Sequence, residues 1–217
     1  MSGVSTTMPS VVSLESLFDS RRIWRGQASD SAASACPSTG HAALDNLLPG
    51  GGWPVAALSE LLVAAQGIGE LRLLWPTLAR LTQRAERVVL VGPPHLPYPR
   101  AWAAAGIELG YLSLVQAQGR DALWAAEQSL RSGSCGAVVC WLRQADDRSL
   151  RRLQVAAETG QTLAFAYRPL EEAINPSPAA LRLAVEAAPD QLRVLKCRGG
   201  IAPPKPIPLS ALALAWQ

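Results

Sequence analysis

Residues 64–71, Ala-Ala-Gln-Gly-Ile-Gly-Glu-Leu, stand where a phosphate-binding loop would be, without that loop's working side chains. A loop of the form G-x-x-x-x-G-K-[ST] cradles phosphates with backbone amides, reaches them with Lys and holds magnesium through a hydroxyl. Aligned on Gly69, this chain has Ala64 for the first Gly, Glu70 for the Lys and Leu71 for the hydroxyl residue. Gly67 and Gly69 permit the turn, but Glu70 would set a carboxylate against a polyphosphate, so no cofactor is expected here. A carboxylate at the first turn of a helix is favoured by about 0.3–1 kcal/mol through the exposed amides and the helix dipole. Glu70 is therefore expected to cap the helix end that a phosphate would otherwise occupy.

Other arrangements point away from catalysis. Asp146 and Asp147, between Arg143 and Arg148, are adjacent and point differently on a helix, so they read as a solvated helix start rather than a metal pair. His41 and His95 have no acid and nucleophile at diagnostic spacing. Cys36, Cys135, Cys140 and Cys197 form no C-x-x-C pair, which supports neither a zinc site nor a disulfide framework. No metal is expected, and Cys140 reads as a buried side chain inside an apolar strand.

The chain has 217 residues, enough for one full core, with 49% hydrophobic and 17% charged residues. Soluble domains typically carry about 25% charged residues, so either a partner covers part of this surface or the composition reflects an Ala- and Leu-rich genome. A net charge of +3 gives no strong grip on a polyanion. Basic residues do gather near the end: Arg193, Lys196, Arg198 and Lys205 follow Glu186 against one acid, Asp190. That is a weak nucleic-acid footprint or a solvated basic edge. No apolar run nears the roughly 20 residues of a membrane span, and residues 1–20 lack a signal-peptide pattern, so a cytoplasmic protein is expected.

The elements that must position these residues follow from apolar spacing. Residues 11–23 read as a short amphipathic helix in a leader, followed by a Ser- and Ala-rich link. Residues 42–48 read as a helix stopped by Pro49-Gly50-Gly51-Gly52. Residues 57–63, 88–91, 112–116, 137–142 and 163–167 read as strands, with helices over 70–81, 101–105, 121–131 and 149–158. Pro76 is expected to bend or shorten the first of these helices, and Asp121 to cap the third. The alternation predicts an α/β fold with a mostly parallel sheet covered by helices. Residues 181–187 and 192–197 flank a turn and predict a C-terminal antiparallel hairpin at a sheet edge. Prolines 203, 204, 206 and 208 predict an extended tail ending in a short apolar terminus.

The segment Ser38-Thr39-Gly40-His41-Ala42-Ala43-Leu44-Asp45, with Pro49-Gly50-Gly51-Gly52-Trp53-Pro54, resembles the RecA-like family. Trp24-Arg25-Gly26, the run from Gly67 through Leu74, Pro93-Pro94 with Pro97-Tyr98, the run from Asp121 through Gln128, Leu130-Arg131-Ser132-Gly133 and Leu150-Arg151-Arg152-Leu153-Gln154 are similar to the ImuA family. That resemblance covers about residues 11–199. It implies a RecA-like domain over 37–199 with a degenerate phosphate loop, a leader over 1–36 and a Pro-rich tail over 200–217. RecA relatives place a catalytic Glu at the second strand end, where this chain has Val91-Gly92-Pro93-Pro94, and Val138-Val139-Cys140-Trp141-Leu142 ends without an Asp.

The resemblance thus implies a noncatalytic accessory protein, not an enzyme, in damage-induced (SOS) error-prone translesion synthesis. Its implied partners are a Y-family-polymerase-like protein, a specialized replicative-type polymerase, and further single-stranded DNA and a RecA-family protein. The related SulA family, a stripped RecA-like domain that caps the tubulin-like division protein, gives the alternative. A residual nucleotide-dependent DNA-binding protein gives another.

The implied polymerase contact lies in residues 192–217, where Leu209, Leu212, Leu214 and Trp216 are the apolar candidates. Trp24, between arginines, is a further interface candidate, because aromatics beside Arg bury large area with little flexibility. Trp75, Trp124 and Trp141 lie on core-like elements, whereas Trp53 and Trp102 sit near boundaries. By analogy with RecA-like proteins on DNA, Arg151, Arg152, Arg193, Lys196 and Arg198 are the candidate backbone contacts.

Overall fold

Continuous apolar runs are expected where both faces of a strand are covered. In the computed structural model, which describes residues 36–65, 70–187 and 190–213, β1 (Leu58–Val63) and β2 (Val88–Val91) are buried along their whole length. The described residues fall within one compact unit, Ala35–Gln217.

Six further strands complete the sheet: β3 (Leu112–Val115), β4 (Ala137–Trp141), β5 (Leu163–Pro169), β6 (Leu181–Ala187), β7 (Asp190–Cys197) and β8 (Ile207–Pro208). The order is β3-β2-β4-β5-β1-β6-β7-β8. Every pair from β3 to β6 is parallel, and β7 pairs antiparallel with both β6 and β8. The expected hairpin is thus β6–β7, but β8 extends it. The tail, expected to be extended, joins the sheet through Ile207 and Pro208, opposite Leu192 and Gln191.

Helices cover both faces. On one face α2 (Trp75–Gln83) and α3 (Pro99–Ala104) pack with Trp53, Leu74, Leu78, Leu90, Trp102 and Phe165. On the other, α4 (Gly119–Arg131) and α5 (Asp147–Gly160) pack with Leu130, Val138, Leu150, Leu153 and Ala164. Short α1 (Ala42–Asp45) precedes β1, and α6 (Leu209–Ala213) follows β8.

Several local expectations change. Residues Glu70–Leu73 form a 3-10 turn, and Pro76 sits in the first turn of α2, where its missing N–H is unneeded. Pro76 therefore opens the helix instead of bending it. Asp121 lies inside the first turn of α4, whose N-cap is Gln118. The Asp146 carboxylate caps α5, accepting from the Ser149 amide at 2.8 Å, and hydrogen bonding to the Ser149 side chain, then to its amide, holds the carboxyl below the usual range. Trp124 is 62% exposed on the outer face of α4, while Trp53 and Trp102 are buried. Trp124 lies on the expected helix but off its buried stripe of Ala122, Ala126 and Leu130.

Where α4 and α5 end, their backbones nearly touch. A Cβ on Gly160 would stand 1.8 Å from the Leu130 carbonyl oxygen and 3.0 Å from the Gly133 nitrogen. Both neighbours are backbone, so neither can swing aside. Gly160→Ala is expected to destabilise the protein by about 1–3 kcal/mol through forced separation of the helices. Urea denaturation measures this, and an unchanged midpoint would mean the two helix ends part freely.

Candidate partner-binding surface

In a parallel sheet, ligands bind outside the carboxyl ends of the strands. Here the ends of β1, β4 and β5 frame a depression of about 350 Å³ lined by Ala64, Ala65, Trp141, Arg143, Tyr167 and Glu171, among others. Trp141 and Tyr167 stack with ring centroids 5.2 Å apart. The Tyr167 hydroxyl donates to the Glu70 carbonyl oxygen at 3.0 Å. Burial, with the charge of Glu70, pushes the Tyr167 phenol well above its usual value.

Gly67 and Gly69 of the degenerate loop lie outside the described residues. Glu70 is buried in the 3-10 turn, and Leu71 packs against the core. The expected dipole role of Glu70 needs correction, because α2 starts only at Trp75. The Lys position is thus a buried glutamate, and the hydroxyl position is part of the hydrophobic packing.

Beside this depression, Glu60 sits buried in the central strand between two arginines. Its Oε1 accepts from Arg168 Nη1 at 2.7 Å and its Oε2 from Arg182 Nε at 2.6 Å. Arg168 Nη2 also donates to the Ala145 carbonyl at 2.7 Å and to Glu172 at 2.9 Å. Arg182 reaches the carbonyls of Glu172 and Asn175. Sequence reasoning missed this cluster. Its signal was a charge within the largely apolar runs of β1, β5 and β6, since a charge buried in a sheet must find a partner.

The expected DNA-contact residues are mostly engaged with the chain's own groups. Arg151 Nε lies 2.7 Å from Asp147, Arg152 pairs with Glu127, Arg193 with Glu186, and Arg198 stands 3.9 Å from Glu158. Lys196 donates to the Ser177 carbonyl at 2.7 Å. Desolvation, then the charges of Arg198 and Arg182, lower its ammonium below the usual value. The structure does not bring the five together: Arg151 and Arg152 are on α5, Arg193 and Lys196 on β7.

The expected tail contacts divide. Leu212 is buried and Leu209 packs against the same core. His41 fixes this arrangement, with Nδ1 3.2 Å from the Leu212 carbonyl and Nε2 3.2 Å from that of Leu73. Desolvation lowers the His41 imidazole below its usual value. Trp24, Leu214 and Trp216 lie outside the described residues.

Exposed apolar groups gather elsewhere. Leu96 is 69% and Tyr98 63% exposed in the β2–α3 connection, and Leu109, Tyr111 and Leu114 are exposed at the start of and along β3. Exposed apolar side chains of this kind are candidates for an interaction surface. Sequence reasoning did not single out these residues, although all five sit next to Pro or Gly or within a strand that pairs on one side. Among the described residues, no group of three or more His, Cys, Asp and Glu side chains is arranged to hold a metal ion. Burial pushes the Cys140 thiol up to about 12, as suits a core side chain.

Comparison with known proteins places this surface in a family context. The family model described as "Cell division inhibitor SulA" matches residues 57–164. A cell division inhibitor SulA from Edwardsiella piscicida is 30% identical over 115 residues, spanning 52% of this chain and 68% of that protein. The crystal structure of SulA from Pseudomonas aeruginosa is 31% identical, covers 54% of this chain and 99% of that chain, and superposes with a TM-score of 0.45.

These matches overturn the resemblance to the ImuA family. With it go the translesion and damage-response role and the polymerase, single-stranded DNA and RecA-family partners. Most segments that carried the resemblance fall inside the matched span, where the same loop and amphipathic helices serve the other family. The description as an inhibitor agrees with the expectation that the chain is not an enzyme. The matched span runs from β1 into β5, so it contains the Leu96 to Leu114 surface and excludes the C-terminal hairpin and tail.

Proposed function

The chain belongs to the SulA family, and we propose that it inhibits bacterial cell division by binding the tubulin-like division protein and blocking its assembly. The observation that carries this is the 30% identity to a named cell division inhibitor across 68% of that protein's length. The contact lies within the matched span, and the exposed apolar residues between Leu96 and Leu114 are its best candidates.

Expression of the chain in a bacterium is expected to give long, undivided cells. The purified chain is expected to lower light scattering by the polymerising division protein at near-equal concentrations. Cells of normal length together with undiminished polymer would overturn the proposal.

A RecA-like origin for the sheet is part of the same reading. It is supported by the parallel core, by β1 lying inside the sheet, and by the turn at Glu70–Leu73 leading from β1 into α2. In this reading residues 37–199 are the domain, 1–36 a leader, and 200–217 a tail that returns to the core through Leu212. The site of action is the cytoplasm, where the target assembles. Among the described residues, no helix is long and apolar enough to cross a membrane.

A further inference from the structure

The two margins of the sheet differ. One is β8, two residues long and ending in Pro208, which has no N–H to offer a neighbour. The other is β3, Leu112-Ser113-Leu114-Val115, which pairs only with β2 and contains neither charge nor proline. Strand edges of this kind are templates for another strand, and natural proteins usually blunt them with charge, proline or a bulge.

The side chains around β3 say what such a strand would carry. Leu114 is exposed on it, and Leu109 and Tyr111 are exposed in the turn that leads into it. Arg87 reaches onto the strand, its Nη1 donating to Ser113 Oγ at 2.9 Å. Arg87, Arg100 and Arg120 are exposed, and among the described residues none has a carboxylate within 4.0 Å. Between residues 87 and 120 they face a single acid, Glu108.

Charge selects the occupant. A second copy, related by a two-fold axis through β3, would set these arginines against their own counterparts, and like charges across an interface are costly. An acidic segment would meet them with complementary charge. We propose that the open edge of β3 is the docking site for an extended, acidic segment of the partner protein. It adds as a further strand, with apolar side chains on Leu109, Tyr111 and Leu114 and carboxylates near Arg87, Arg100 and Arg120. This rests on the division-inhibitor reading in taking the tubulin-like division protein as that partner.

The test uses the full chain and the purified division protein, with affinity measured calorimetrically and amide exchange followed by mass spectrometry. Leu114→Lys places a charge on the edge, and Arg100→Glu with Arg120→Glu reverses the rim; all three side chains are exposed. Each variant is expected to weaken binding about tenfold or more with an unchanged circular dichroism spectrum, and residues 112–115 are expected to exchange more slowly in the complex. Full-strength binding by both variants, or unslowed exchange at 112–115, overturns edge docking and leaves the division-inhibitor reading standing. No binding by the unmodified chain overturns both. Self-association that Leu114→Lys abolishes overturns the acidic occupant in favour of a second copy.

Discussion

Glu60→Ala is expected to destabilise the protein by about 3–5 kcal/mol, the cost of leaving buried charges without their counter-charge. Glu60 is fully buried, and the side chains of Arg168 and Arg182 that it joins are 2% and 8% exposed. Removing the carboxylate strands the Arg182 guanidinium and leaves Arg168 with only the partly exposed Glu172 as counter-charge. Against a typical total stability of about 5–15 kcal/mol, this is a large fraction. The loss extends beyond one strand, because Arg168 and Arg182 also hold the turn Leu170–Ile174 through Glu172. Urea denaturation should show a much lower midpoint with little change in slope. Glu60→Gln keeps an acceptor for one arginine and should lose less. Equal, small losses in both variants would mean that the cluster is hydrated.

The second large effect is expected at Trp53. Its ring is fully buried, meets Phe165 edge to face at 4.9 Å, and its Nε1 donates to Thr77 Oγ1 at 2.8 Å. It joins the loop before β1 to α2 and β5 in one contact. Trp53→Ala is expected to cost about 3–5 kcal/mol through lost burial and the cavity left behind. Trp53→Phe retains most of the ring and should cost less, with the buried Thr77 hydroxyl keeping only its bond to the Thr39 carbonyl. Thermal unfolding followed at a backbone wavelength separates the two. Similar melting temperatures for Trp53→Ala and the unmodified chain would remove this residue from the core's main supports.

Trp53 also shows where sequence reasoning stops. Its neighbours Gly52 and Pro54 suggested a boundary and partial exposure, yet Phe165, more than a hundred residues later, completes its pocket. The strands themselves were readable, since runs such as Val88-Val89-Leu90-Val91 leave no polar face to expose. The alternation of strands and helices sufficed for the α/β class and the hairpin. The order of strands was not readable, nor was the Glu60 cluster, because Arg168 and Arg182 lie 108 and 122 residues from Glu60 along the chain. Trp124 differs: the sequence places it only on a core-like element, and it lies off the stripe of Ala122, Ala126 and Leu130 that α4 buries.

The candidate site was harder still. Charge composition drew attention to Arg193 and Arg198, and the family analogy to Arg151 and Arg152, but each has an acid of the chain beside it in the fold. Arg87, Arg100 and Arg120, which are among the exposed cations without such balance, lie in a stretch whose sequence looks like an ordinary connection. The family resemblance failed similarly, since short loop and helix segments were read as one family's marks when they sit within the core matched to another.

The proline at β8 has a consequence for counting. A sheet with one receptive margin and one blunted margin has a valence of one. A strand docked on β3 finds no equivalent seat at the opposite margin, so a chain of this kind can end a growing assembly but cannot link two of its members. Stoichiometry is therefore as informative as affinity, and a one-to-one complex is the arithmetic that these two margins impose.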